Sequence, residues 1–91
     1  MSGLAPHAQR PEDYEQKERA VLEAAVAWLA ALDARGEAWV AYRESRGTEG
    51  AWEAFRVAEV REREATLAAA AAVRDLAAKL RAWALAEVPR G

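Results

Sequence analysis

The chain has no cysteine, no isoleucine and no asparagine, a single histidine, and only two lysines among its thirteen basic residues. Without cysteine there is no disulfide framework, no thiolate nucleophile and no cysteine-ligated zinc. The lone His7 sits beside Gly3 and Pro6 in the N-terminal stretch, where it reads as an ordinary tail residue. No apolar run approaches ~18 residues, so no membrane-spanning helix is expected. Thirteen Lys and Arg stand against fifteen Asp and Glu, for a net charge of -2. That balance lacks the basic excess of a dedicated nucleic-acid binder and the acid block of a solvating tail. Residues 1–10 lack the basic and apolar regions of a signal peptide, so a cytoplasmic location is expected.

What is present is mostly helix former. Twenty-five of the 91 residues are alanine and eleven are arginine, and β-branched residues are few, which predicts an all-α chain. The lack of Ile and Asn and the excess of Arg over Lys fit a GC-rich bacterial or phage genome. Ninety-one residues allow one domain. Residues 1–10 read as a flexible arm and 11–91 as a single helical domain. Pro11 suits a first helical position, with Glu12, Asp13 and Glu15 at the positive end of the helix dipole. The pattern predicts a helix over 11–45, a loop over 46–50 with Thr48 as N-cap, and a helix over 51–88 closed by Pro89.

Gly36 could divide the first helix, but the phase argues for continuity, with at most a bend. Trp39 and Val40 follow Val21 and Leu22 by 18 residues, five whole turns at 3.6 residues per turn. In the second helix Trp52, Phe55, Ala69, Val73, Leu76, Leu80 and Trp83 share the a/d positions of one heptad frame, with polar Glu59, Glu62 and Thr66 in its middle. Folding the chain about Thr48 and Glu49 opposes residues whose numbers sum to 97. Trp28 then faces Ala69, Trp39 faces Ala58, Tyr42 meets Phe55, Tyr14 meets Trp83, and Glu62 lies opposite Arg35. Large residues fall opposite small ones along much of the seam, as close packing requires. The result is an antiparallel hairpin about 50 Å long.

One seam cannot cover all the apolar surface. Leu22, Val26, Leu29 and Val40 form a flank on the first helix, and Val57, Val60, Leu67 and Leu85 lie off the main stripe of the second. Burying one such side chain is worth about 1.5–3 kcal/mol. A second hairpin completing a four-helix bundle, or a helix of another protein, would supply the missing cover. Arg56, Arg63, Arg74 and Arg81, spaced 7, 11 and 7 apart, fall within about 20° on one helix face. This line can fork a partner's carboxylates or phosphates. Four phosphate contacts give a salt slope of only about -3.6, so nucleic-acid contact is the subordinate reading. Trp52, beside the loop and this line, is the tryptophan best placed for a contact surface.

No catalytic, cofactor or metal site is expected. Glu12, Glu15 and Glu18, and Glu59 and Glu62, have helical three-residue spacing, but no helix carries the histidine of a Glu-x-x-His pair. Arg61 and Arg63 flank the second set. Gly47 and Gly50 lack the strand and the Gly-Lys-Ser/Thr of a phosphate loop. In length and helix–turn–helix plan the chain resembles the small secreted hairpins whose turn carries Trp-x-Gly. The turn here reads Gly50-Ala51-Trp52, and the C-terminus offers Trp83-x-x-x-Glu87 where those hairpins carry Tyr-x-x-x-Asp/Glu. The resemblance is one of architecture and implies no function by itself. The expected role is a non-enzymatic interaction or assembly module, self-associating or binding a partner helix. Leu22, Val26, Leu29 and Val40 form its apolar contact, and Trp52 and the arginine line flank it.

Overall fold

A computed structural model describes residues 13–87. The expected arm, His7, Pro11 and Val88 lie outside the described residues. Two helices, α1 (Tyr14–Glu44) and α2 (Glu49–Glu87), pack against each other as one antiparallel hairpin. Its extents are 67 × 26 × 14 Å, so it is a single layer of helices. Among the described residues there is no strand. No helix among the described residues is long and apolar enough to cross a membrane.

Helix α1 runs unbroken through Gly36, as the phase predicted. It starts at Tyr14 rather than at residue 11. Asp13, at the N-cap position, makes no side-chain cap; its carboxylate bonds across to Lys79 Nζ at 2.9 Å. A Cβ built on Gly36 would meet nothing within 4 Å, so this glycine does not serve a close approach by α2.

The reversal is tighter than the expected loop over 46–50. It occupies 45–48, and Gly50 lies in the first turn of α2. Arg46 (φ 60°) and Gly47 (φ 83°) both take left-handed backbone. The Arg46 N–H donates to Arg43 O and the Gly47 N–H to Tyr42 O, both at 3.2 Å. This is the paired bonding that satisfies the last carbonyls of a helix, with an arginine where glycine is usual. Thr48 immediately precedes α2, and its hydroxyl donates to Ser45 O at 2.8 Å, bracing the turn.

The earlier turn moves the register. Aromatic contacts pair residues summing to 94: Tyr42 with Trp52 and Trp39 with Phe55, at ring distances of 5.1 and 5.3 Å. Trp28 likewise donates to Thr66 at 2.9 Å. The expected partners lay about one turn further along α2. Arg35 and Glu62 do meet, at 3.4 Å. A shorter loop centred between Arg46 and Gly47 accounts for the shift.

The polar middle of the α2 stripe is a connected relay. The Trp28 indole N–H donates to the Thr66 hydroxyl, which donates to the Glu62 carboxylate at 2.6 Å, and the other Glu62 oxygen accepts from Arg35. Each member has its partner, which is what makes a polar seam tolerable between helices.

Candidate interaction surface

The seam buries little. Phe55, 8% exposed, is the one buried hydrophobic residue among the described residues. Trp39 and Val73, expected in the seam, remain 43% and 51% exposed. A two-helix layer has nothing to cover the outer edge of a large side chain, even where, as with Trp39 on Phe55, the inner edge packs on an aromatic ring.

The four residues predicted as an apolar contact, Leu22, Val26, Leu29 and Val40, are all exposed, Val26 at 68%. At roughly 100° per residue they fall within about 60° on the side of α1 turned away from α2. Sequence reasoning also found Val57, Val60, Leu67 and Leu85 unburied, and all four are exposed in the hairpin. Val60, Leu67 and Leu85 lie within about 20° of one another on the far side of α2.

The two broad sides of the hairpin differ. One carries a groove of about 500 Å³ whose floor is mostly alanine, lined by Ala30, Ala31, Ala34, Ala54 and Ala58 with Val57, and flanked by Glu53 and Arg61. The other carries the large groups. It holds a hollow of about 370 Å³ lined by Leu32, Arg35, Gly36, Trp39 and Phe55. A second hollow, of about 390 Å³, is lined by Trp28, Thr66, Ala69, Ala70, Val73 and Arg74. Helical phase places Leu29 and Val40 at the α1 edge of this side and Trp52 at its α2 edge. The alternation of small and large sides was not legible as such in the sequence, because it depends on which way each helix rolls about the seam.

Trp52 packs on Tyr42 and Phe55, with the Arg56 guanidinium 5.8 Å over its ring. Arg56 also reaches Glu59 at 4.0 Å. Arg63, Arg74 and Arg81 are exposed and make no ion pair among the described residues. The structure therefore keeps the four arginines on one exposed line and, among the described residues, pairs only the first.

The carboxylates do not converge. Among the described residues no three Asp, Glu or His side chains are grouped as a metal would need, and Glu62 is engaged by Arg35 and Thr66. No family model, curated protein or solved structure matches the chain.

Proposed function

We propose that the chain is a non-enzymatic assembly module, a helical hairpin that self-associates or takes a partner helix on its large-residue side. The observation that carries this reading is the exposure of Leu22, Val26, Leu29 and Val40 beside the half-covered Trp39 on one edge of a single-layer hairpin. Each such side chain gains about 1.5–3 kcal/mol on burial, and several exposed on one helix face favour an interaction site over ordinary surface. A four-helix bundle is the smallest assembly that covers the set, with Trp52 and the line Arg56, Arg63, Arg74 and Arg81 at its margin.

The test is the solution mass by light scattering across a dilution series, for the natural chain and for the Val26→Glu/Leu29→Glu variant. An oligomer that the variant loses, with helicity kept by circular dichroism, supports the assignment. An oligomer unaffected by the variant moves the contact elsewhere. That Arg63, Arg74 and Arg81 have no ion pair among the described residues favours one second reading, a small nucleic-acid-associated factor. Absence of DNA or RNA binding at low salt would remove it.

A further inference from the structure

We infer that the partner is a second copy of this chain, and that two hairpins close into a four-helix bundle about a two-fold axis parallel to the helices. This rests on the assembly reading above and adds the partner's identity, the symmetry and the contacts.

Area is the first argument. The chain exposes 7130 Å². A compact chain of 10.0 kDa exposes about 5,200 Å², so the excess is about 1,900 Å². Each partner in a stable interface contributes about 800 Å². The surplus surface is thus ample for a second copy, and the two hollows open on the same side as the exposed Trp39 and Val73.

Charge complementarity is the second. The outer margin of that side on α1 carries Glu15, Asp33 and Glu37, all exposed and without an ion pair among the described residues. The outer margin on α2 is the arginine line. Acid thus predominates along one edge of the surface, with Arg19 on the same face as Glu37, and base runs along the other, which is the pattern of a largely self-complementary face.

Symmetry then sets the register without further choice. A two-fold axis parallel to the helices leaves every residue at its own height. Helix α1 of one copy therefore meets α2 of the second as it meets its own α2, in pairs summing to about 94. Arg56 falls level with Glu37 of the second copy, Arg63 with Asp33, and Arg81 with Glu15. Arg74 reaches the turn that holds Glu18, Arg19 and Glu23. Between these margins Val40 comes level with Trp52 and Leu29 with Thr66. All neighbouring helices are antiparallel, as in up-and-down bundles. The competing arrangement, with the axis perpendicular to the helices, sets α1 on α1 and α2 on α2. It opposes acid to acid and arginine to arginine, and like-charge juxtaposition disfavours it.

Charge reversal tests the pairing. One variant carries Arg56→Glu and Arg63→Glu, a second carries Asp33→Arg and Glu37→Arg, and a third carries all four changes. All four positions are exposed, and circular dichroism checks that each variant stays helical. Sedimentation equilibrium gives the dimer dissociation constant. Each two-site variant should weaken the dimer at least about tenfold, and the four-site variant should recover to within about threefold of the natural chain. Two-site variants that dimerise like the natural chain would overturn the α1-on-α2 contact, as would a four-site variant that fails to recover. A natural chain that stays at 10.0 kDa at every concentration would overturn self-association itself and leave only the reading of a different protein partner.

Discussion

The two ends of the hairpin are held by different forces. Next to the turn, Trp39, Tyr42, Trp52 and Phe55 form one aromatic cluster with ring distances of 5.1 to 5.8 Å. At the open end, Asp13 binds Lys79 at 2.9 Å, and Lys17 lies 3.6 Å from Asp75. Aromatic pairs contribute about 0.5–1.5 kcal/mol beyond their buried area, whereas exposed ion pairs are worth about 0–1 kcal/mol and weaken with salt. The turn end is therefore the anchored one. The open end contributes alignment more than stability, and local opening should start there.

The largest effect should come from Phe55→Ala, which removes the only buried hydrophobic group among the described residues. A loss of about 3 kcal/mol is expected, enough to unfold much of a single-seam hairpin. Leu76→Ala, half-buried toward the open end, should cost about 1–2 kcal/mol. Urea melts followed by circular dichroism compare the two, and equal losses would break the contrast between the ends.

Next in size are the indole hydrogen bonds. Trp28→Phe removes the donor to Thr66 and should cost about 1 kcal/mol. The Trp83 indole N–H is buried without a hydrogen-bond partner, so Trp83→Phe should be neutral to within about 0.5 kcal/mol. Thermal melts of the two variants separate a bonded tryptophan from an unbonded one.

The turn itself can be sharpened. Arg46 holds a left-handed conformation that glycine adopts freely. Arg46→Gly should therefore stabilise by up to about 1 kcal/mol, tightening the anchored end. A lower melting temperature in this variant would mean that the arginine side chain does more than sit at the turn.

The smallest effect concerns acid. The hydrogen bond from Lys79 holds the Asp13 carboxyl below its ordinary value of 3.8, with Lys17 adding attraction. A lowered folded value means that this stabilisation is fully present above the ordinary value and is lost as pH falls through the folded one. Asp13→Asn should flatten that acid limb slightly, read as melting temperature between about pH 5 and pH 3. An unchanged limb would assign the acid sensitivity to other carboxylates.

Much of the fold was legible in the residues. The five-turn spacing of Trp39 and Val40 from Val21 and Leu22 required a helix continuous through Gly36, and α1 has it. The antiparallel folding predicted the meeting of Arg35 with Glu62, but large did not fall against small at the turn end, where Trp39 meets Phe55 and Tyr42 meets Trp52. The exposed flank followed too, because a helix apolar over more than one stripe cannot hide in one seam. The turn was less legible. Gly47 and Gly50 both read as loop, whereas the left-handed positions are Arg46 and Gly47, and that difference slid the aromatic contacts by about one turn. Asp13 read as part of a helical first turn and instead serves as an interhelical ligand for lysine. A side chain four residues from a helix partner and one from across the hairpin look alike in a linear pattern.

Composition and periodicity by themselves determined two long helices, their antiparallel fold and the surplus of apolar surface, since these depend on local propensity and on one repeat. Only the tertiary structure decided which residues meet and how the helices roll about their seam. It also decided that alanines with Val57, Glu53 and Arg61 line the groove of one broad side while Trp28, Leu32, Trp39 and Val73 line the hollows of the other. Those choices come from the length of the reversal, which leaves no periodic mark in the chain, and from a polar relay whose Glu62 and Thr66 show in the heptad frame while their partners across the seam do not.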